Sequence, residues 1–300
     1  MPLDSLSILS AESARPPRRI LSRERLIASL VLLLLACALG FLALRKFEAL
    51  VTFHPAHYSP GESWRIPANA EEVWLKTSDN VRLNAWLVRA SAQPSLATII
   101  YFHGNGGNIS NLEWTGRELA SRGFDVLLLD YRGYGRSDGE TDGERELNLD
   151  GEAAYDYIVR VRGVSPARVV LFGQSLGTTV AADLASRKPC GALLMESGLS
   201  SAADMAAQVL YWLPRPLYSL GKNRFESAHK LARVHAPVLI VHGEPDPVIP
   251  TEQGRKLYAA ANQPKRLLIY PGAGHNVQGI ERERYLDEVS DFIRHAVSEN

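Results

Sequence analysis

The sequence lacks the features that mark disulfide-rich, zinc-binding and nucleic-acid-binding proteins. It contains only two cysteines, Cys37 and Cys190, so neither a disulfide framework nor a zinc site with paired cysteines is predicted. Basic and acidic residues both number 33, and the formal net charge of zero speaks against a surface built to bind nucleic-acid phosphates. No internal repeats or low-complexity tracts are present. The 300 residues, 46% of them hydrophobic, suffice for one large globular domain, alone or with an accessory segment.

The accessory segment lies at the N-terminus. Residues 1–25 form a polar tail with five arginines, and residues 26–44 follow without a single charge. At about 1.5 Å per residue, a helix of that length just spans a hydrocarbon core of about 30 Å, so 26–44 is predicted to be a transmembrane helix. More basic residues precede this helix than closely follow it. The bias favours a cytoplasmic N-terminus and a C-terminal domain on the non-cytoplasmic side of the membrane.

Two other interpretations of this segment stay open. The tripeptide Ala36-Cys37-Ala38 has the small-residue spacing of a signal-peptide cleavage site, and it follows an apolar run of about ten residues. Cys37 is also a candidate for lipid attachment, since Leu34 stands three residues before it. The apolar sequence continues to residue 44, as in an uncleaved anchor, which favours the transmembrane helix. All three interpretations place the protein at or beyond a membrane.

A proline-containing connector, residues 45–72, leads into a domain predicted to span 73–300. Two antiparallel strands are expected at 73–75 and 81–88. After them, uninterrupted apolar strands alternate with helical stretches, and the predicted strands are 97–102, 126–129, 169–172, 192–195, 238–241 and 266–269. This alternation predicts an α/β fold with a mainly parallel central sheet and helices on both faces. In such sheets ligands bind beyond the carboxyl ends of the strands.

The pentapeptide Gly173-Gln174-Ser175-Leu176-Gly177 carries the strongest chemical signal. It stands between a predicted strand and a predicted helix, the context in which a serine is turned out on a sharp elbow. The glycines allow the backbone to fold tightly, and the helix N-terminus favours negative charge developing beside the serine oxygen. We therefore predict Ser175 as a nucleophile.

A serine nucleophile needs a base, and the base needs an orienting carboxylate. His275 is the predicted base, because it follows the last strand in a glycine-rich loop. Asp246 is the predicted acid, just past the strand at 238–241, with Glu244 as a local competitor and His242 as a support for the loop. The resulting chain order, serine then acid then histidine, is the order of α/β-hydrolases.

A carbonyl under attack develops negative charge, which backbone N–H groups must stabilise. One predicted donor is the N–H of Leu176, directly after the nucleophile. The second is the N–H of Asn105, in the glycine-rich loop 103–108 that follows the strand at 97–102. His103 is interpreted as a brace for this loop.

Three further stretches receive structural interpretations. The loop 130–137 is expected to pack beside the elbow and shape the floor of the cleft. Glu196, after the strand at 192–195, is interpreted as a solvated loop residue. The insertion at about 198–225 is predicted to form a short cap, either packed as an ordinary helical segment or serving as an apolar lid over an acyl chain or a patch facing the bilayer. Because it is short, the cleft beneath it is expected to be open and shallow.

The sequence resembles the serine hydrolases of the α/β-hydrolase fold over roughly residues 70–297. It is most similar to their single-pass membrane branch, the bud-emergence-suppressor-like hydrolases, which is related to protein depalmitoylases. The resemblance rests on the stretches 102–108, 130–137, 173–177, 242–246 and 274–275. It implies hydrolysis of an acyl ester or thioester through an acyl-enzyme, without a metal or an organic cofactor. Two alternatives stay open: a peptidase or amidase using the same triad, and a non-catalytic membrane-tethered binding protein.

Overall fold

A computed structural model of the chain describes residues 23–61, 64–209, 211–212, 214, 218 and 221–298. The chain divides into a first unit that ends at Leu44 and a second unit that begins at Arg45. Most of the predicted basic tail, and parts of the predicted cap at 198–225, lie outside the described residues.

The N-terminal helix, α1, comprises Arg23–Thr52 and therefore continues past the predicted end at residue 44. Its stretch Arg23–Leu50 is long and apolar enough to cross a membrane, and its most apolar window is not buried within the chain. Hydropathy falls after residue 44, but the next residues are mainly arginine, lysine, glutamate and alanine, which are good helix formers. The apolar run and the helix therefore end at different residues.

The second unit is built on one eight-stranded sheet with the order β1-β2-β4-β3-β5-β6-β7-β8. Its strands are β1 (Ala70–Lys76), β2 (Arg82–Val88), β3 (Ala97–Phe102), β4 (Phe124–Leu129), β5 (Val169–Gln174), β6 (Ala192–Glu196), β7 (Val238–Glu244) and β8 (Lys265–Pro271). Strand β2 is antiparallel to both β1 and β4, and all other neighbours pair in parallel. The mainly parallel sheet predicted from the sequence is confirmed.

Helices cover both faces of this sheet. They are α2 (Glu113–Ser121), α3 (Glu144–Asp156), α4 (Gly177–Ala185), α5 (Ala202–Val209), α6 (Ser227–Leu231), α7 (Thr251–Ala260) and α8 (Arg282–Ser298). Successive strand side chains point to opposite faces, so Ile100 and Phe102 join one core with α3, α4, α6 and α7. Ile99 and Tyr101 join a second core with α2 and α8. The near-continuous apolar strands are explained by this two-sided burial.

The loop 130–137 is held from several sides beside the central strands. Arg132 is buried and donates to the Asp150 carboxylate through Nε and Nη2, at 2.9 and 2.7 Å, and to Asp79 through Nη1 at 2.7 Å. Tyr131 and Tyr134 are also buried, and the Tyr131 hydroxyl donates to the backbone oxygen of His103. These contacts agree with the structural interpretation of this loop.

Candidate active site

Ser175 lies on a sharp turn between β5 and α4. Its backbone has φ of 51°, in the left-handed region that residues with a side chain seldom adopt. The turn requires the glycines on either side of it: a Cβ at position 173 would overlap the carbonyl group of Gly177, and a Cβ at position 177 would overlap that of Phe102. The Ser175 N–H is held by the backbone oxygen of Glu196 at 2.8 Å. This is the strained strand-to-helix elbow predicted from the pentapeptide.

Ser175, His275 and Asp246 form one hydrogen-bonded chain. Oγ of Ser175 lies 3.0 Å from Nε2 of His275, and Nδ1 of His275 lies 2.8 Å from Oδ2 of Asp246. An ionised carboxylate only accepts hydrogen bonds, so Nδ1 carries the proton and Nε2 is free to accept the hydroxyl proton of the serine. The loops after β5, β7 and β8 supply the three side chains, because these parallel strands end at the same edge of the sheet.

The Asp246 carboxylate is fully buried and heavily hydrogen-bonded. Its Oδ1 accepts from the backbone N–H groups of Val248 and Ile249, at 2.8 and 2.9 Å, and Nε2 of His242 lies 3.3 Å from its Oδ2. Burial alone raises the pKa of Asp246, but hydrogen bonds from His242, His275 and the two amides outweigh this effect and hold the pKa well below its usual range. Asp246 is therefore a carboxylate at neutral pH.

Glu244 and His242 lie close to Asp246 in the sequence, and the structure places them in different surroundings. Glu244 is about half exposed, and its Oε1 lies 3.4 Å from Nη2 of Arg255, so this carboxylate pairs at the surface. His242 is buried, and its Nε2 lies 2.8 Å from the backbone oxygen of Ile249. The interpretation of His242 as a support for the acid loop is confirmed.

The loop 103–108 lies directly beside the serine. A Cβ built on Gly104 would lie 3.4 Å from Cβ and 3.9 Å from Oγ of Ser175. His103 is buried and its Nδ1 lies 2.7 Å from the backbone oxygen of Gly104, as expected of a brace. Within the described part of the chain, the backbone N–H groups of Asn105 and Leu176 donate to no other residue. Both residues line the same cavity as Ser175.

Two cavities meet at Ser175. One has a volume of about 480 Å³ and is walled mainly by apolar side chains, including Leu176, Leu199, Met205, Phe225 and Ile249. The other, of about 340 Å³, is lined by His275 and mostly polar neighbours, including Asn105, Asn108, Asn111, Gln174 and Asn276. Residues of α5 and Phe225 wall the apolar side of the site. The open, shallow cleft expected from the sequence stays a prediction.

The interpretation of Glu196 as a solvated loop residue was also wrong. Its side chain is fully buried and accepts hydrogen bonds from Nε2 of Gln174 and of Gln278, both at 3.3 Å, and from the Tyr285 hydroxyl. The next residue, Ser197, donates its hydroxyl to the backbone oxygen of His275 at 2.7 Å. Glu196, the last residue of β6, and Ser197 therefore hydrogen-bond to the backbones of Ser175 and His275, respectively.

Glu196 leads to a prediction about stability. Burial raises the pKa of Glu196 above 4.5, and the hydrogen bonds from Tyr285, Gln278 and Gln174 offset only part of the rise. Between pH 4.5 and the folded-state pKa, the unfolded chain loses this proton while the folded protein keeps it, so this residue makes stability fall as pH rises. Glu196→Gln is expected to gain unfolding free energy relative to the wild type as pH rises from 5 to 8, by at most about 1.4 kcal/mol per pH unit.

Urea denaturation of both proteins at several pH values measures this difference. Glu244→Gln is the control, because that glutamate is about half exposed at the surface. An equal pH dependence for Glu196→Gln and the wild type would contradict a raised pKa for the buried Glu196 carboxyl.

Sequence reasoning missed four contributors to the site, namely Glu48, Thr52, Gln278 and Tyr285. The Glu196 network depends on Gln278 and Tyr285, which are more than 80 positions away in the chain. Glu48 and Thr52, at the end of α1, line the apolar cavity although they were assigned to a connector. No local pattern marks these residues, because their roles arise from contacts distant in sequence.

Comparison with known proteins agrees with this geometry. The α/β-hydrolase fold family model matches residues 97–236, and a serine aminopeptidase family model matches residues 214–283. The uncharacterized Mycobacterium tuberculosis protein Rv2307c is 35% identical over 245 residues, which cover 81% of this chain and 86% of that protein. Mouse alpha/beta hydrolase domain-containing protein 17C is 32% identical over 244 residues, 80% of this chain and 73% of that protein.

A likeness in structure supports the same assignment. The Pyrococcus furiosus esterase Pf2001 superposes with a TM-score of 0.66 at 21% identity, and the match covers 82% of this chain and 98% of that one. At this identity the likeness shows the fold alone. On the sequence relationship and the shared fold together, the chain belongs to the α/β-hydrolase fold family.

Proposed function

We propose that the protein is a membrane-anchored serine hydrolase that cleaves carboxylic esters or thioesters through an acyl-enzyme intermediate. The observation that carries the proposal is the continuous chain from the Ser175 hydroxyl to the His275 imidazole, at 3.0 Å, and on to the Asp246 carboxylate, at 2.8 Å. A non-catalytic binding protein has no need of this alignment. Thioesters are included because of the resemblance to the branch related to protein depalmitoylases.

The proposed mechanism assigns one task to each group. Nε2 of His275 removes the hydroxyl proton as Oγ of Ser175 attacks the carbonyl carbon, and Asp246 stabilises the imidazolium that forms. The N–H groups of Asn105 and Leu176 bind the oxyanion. The imidazolium then protonates the departing alcohol or thiol, which leaves an acyl group on the serine. A water molecule, deprotonated by the same imidazole, releases the acid.

The two cavities suggest how the substrate is oriented. The apolar cavity, beside Leu176, Leu199 and Phe225, suits the acyl chain. The polar cavity, beside Asn111, Gln174 and Asn276, suits the leaving alcohol or thiol. The lid interpretation of the cap is favoured on the same ground, because Ala202 and Met205 of α5 line the apolar cavity.

The membrane anchor is the helix α1, which is long and apolar enough to span a bilayer. The charge bias around residues 26–44 favours a hydrolase domain on the non-cytoplasmic side. Protease protection of the C-terminal domain in oriented membrane vesicles tests this orientation.

A series of p-nitrophenyl esters and matching thioesters from C2 to C16 tests the substrate class, with Ser175→Ala as the blank. Burying one methylene group contributes about 0.8 kcal/mol. We therefore expect kcat/KM to rise up to about fourfold for each added carbon until the apolar cavity is filled. Equal rates for acetate and octanoate would contradict an acyl chain bound in that cavity.

Amide or peptide hydrolysis is the second candidate. It is favoured by the serine aminopeptidase family model, whose match at 214–283 includes Asp246 and His275. Comparing a p-nitrophenyl ester with the p-nitroanilide of the same acyl group separates the two candidates. Faster turnover of the anilide would favour the amidase.

A further inference from the structure

The end of α1 lies against the loop that carries the proposed oxyanion donor. We propose that residues 48–54 are a working part of the active site, which positions the Asn105 amide and closes one end of the apolar cavity. The inference rests on the proposed function, since it assigns these residues a task within that site. The residues concerned all belong to the second unit, which begins at Arg45.

The side chain of Asn105 makes the connection. Its Nδ2 donates to the backbone oxygen of Thr52 at 2.6 Å, and its Oδ1 accepts from the backbone N–H of His54 at 3.0 Å. The Tyr134 hydroxyl completes the set, since it lies 3.1 Å from the backbone oxygen and 3.0 Å from Oδ1 of Asn105. Asn105 is thus held between the chain after α1 and the loop 130–137.

These side-chain bonds matter for the proposed catalysis because they leave the backbone N–H of Asn105 available to donate to the oxyanion. The N–H of Asn105 has no acceptor within the described part of the chain, while the side chain of the same residue is held by three neighbours. An oxyanion donor is effective when it is fixed before the charge develops. The bonds to Thr52 and His54 restrain the Asn105 peptide in this way, and they come from a segment outside the loop 103–108.

Glu48 makes a second connection, to the cap. Its carboxylate accepts from the backbone N–H groups of Lys222 and Asn223, at 2.9 and 2.8 Å, and from Nδ2 of Asn223 at 3.2 Å. Glu48, Thr52 and Asn223 all line the apolar cavity. One carboxylate therefore joins the end of α1 to the chain segment that closes the cavity.

Phe53 fixes the segment between these two connections. Its side chain is buried and packs edge-on against Phe225, with ring centroids 6.2 Å apart. Phe225 is itself part of the cavity wall. Phe53 therefore anchors the segment in the hydrophobic core of the second unit. This packing fixes the positions of the neighbouring backbone groups that bond to Asn105.

The test uses the full chain in detergent and the variant Asn105→Ala, which keeps the backbone N–H but removes the side-chain bonds. Loss of an oxyanion donor lowers kcat by about 10²–10³. An oxyanion donor that is still present but no longer held in position should have a smaller effect, and should lower kcat by about 10- to 100-fold. We expect this fall in kcat for p-nitrophenyl butyrate with KM changed less than threefold. The affinity of a trifluoromethyl ketone, which forms a tetrahedral adduct with the serine, should fall in proportion to kcat.

Asn262→Ala is the matched control. Like Asn105, Asn262 bonds to two backbone groups through its side chain: its amide nitrogen donates to the oxygens of Ala232 and Val234, near the amino ends of β7 and β8. It should leave kcat and inhibitor affinity within twofold of the wild type. Phe53→Leu tests the segment without altering Asn105, and it should lower kcat and inhibitor affinity in the same direction, by a smaller factor.

The outcomes separate this inference from the proposed function. An active wild type with kcat and inhibitor affinity unchanged in both Asn105→Ala and Phe53→Leu overturns the inference alone. Equal losses in Asn105→Ala and Asn262→Ala also overturn it, because they would indicate general destabilisation. A wild type that hydrolyses the ester no faster than Ser175→Ala overturns the proposed function and the inference with it.

Discussion

Replacing Ser175 by alanine is expected to lower the turnover of an activated acyl ester by about 10⁴-fold or more. The Ser175 hydroxyl is the group that lies 3.0 Å from Nε2 of His275, at the junction of the two cavities. Without it no acyl-enzyme forms, and the oxyanion donors can only assist direct attack by water. Initial rates with p-nitrophenyl butyrate, measured on purified full-length protein in detergent, give the ratio.

Ser186→Ala is the matched control for this variant. Ser186 follows the other end of α4, and its hydroxyl donates to the backbone oxygen of Asp183 at 2.7 Å. Its loss should leave the rate within twofold of the wild type. Ester hydrolysis by Ser175→Ala at more than a hundredth of the wild-type rate would contradict the assignment of the nucleophile.

Replacing Asp246 by asparagine is expected to lower kcat by a comparable factor, about 10⁴. The asparagine amide can still accept from Val248 and Ile249 through its oxygen, so the acid loop should keep its geometry. Its nitrogen, however, donates toward Nδ1 of His275. The imidazole then carries its proton on Nε2, facing Ser175, and cannot accept the hydroxyl proton. The pH profile of kcat, measured with the same ester, checks that no pH restores the rate.

Glu244→Gln serves as the control for Asp246→Asn. The two carboxylates are two residues apart, but Glu244 pairs with Arg255 at the surface while Asp246 contacts His275. The Glu244 variant should keep the wild-type kcat. If it loses activity while Asp246→Asn remains active, the assignment of the orienting acid is wrong.

Much of the fold could be predicted because its signals are local. The strands at 97–102 and 169–172 are apolar throughout, and the structure places β3 and β5 there as the central pair of the parallel sheet. The elbow at Ser175 could be predicted for the same reason, since its two glycines and its flanking elements are adjacent in sequence. Asp246 and His275 could be predicted because each follows a predicted strand, and the resulting chain order is that of α/β-hydrolases.

The remainder depends on contacts that no short window of sequence contains. The burial of Glu196 results from packing against Gln278 and Tyr285, so a carboxylate at a strand end was interpreted as solvated. The wall of the apolar cavity is formed by Phe225 and Leu176, which line the same cavity although they are far apart in the sequence. Helix α1 continues past residue 44, where the predicted transmembrane segment ends, because the residues after 44 favour helix and Glu48 bonds to the cap.

The central claim is that the imidazole of His275 activates the hydroxyl of Ser175. A fluorophosphonate probe reacts only with an activated serine, so labelling followed by peptide mass spectrometry tests this claim most directly. We predict a single phosphonylated residue, Ser175, in the wild type, and at least a hundredfold slower labelling of His275→Ala. Labelling at another serine, or unchanged labelling of Ser175 in His275→Ala, would contradict the account.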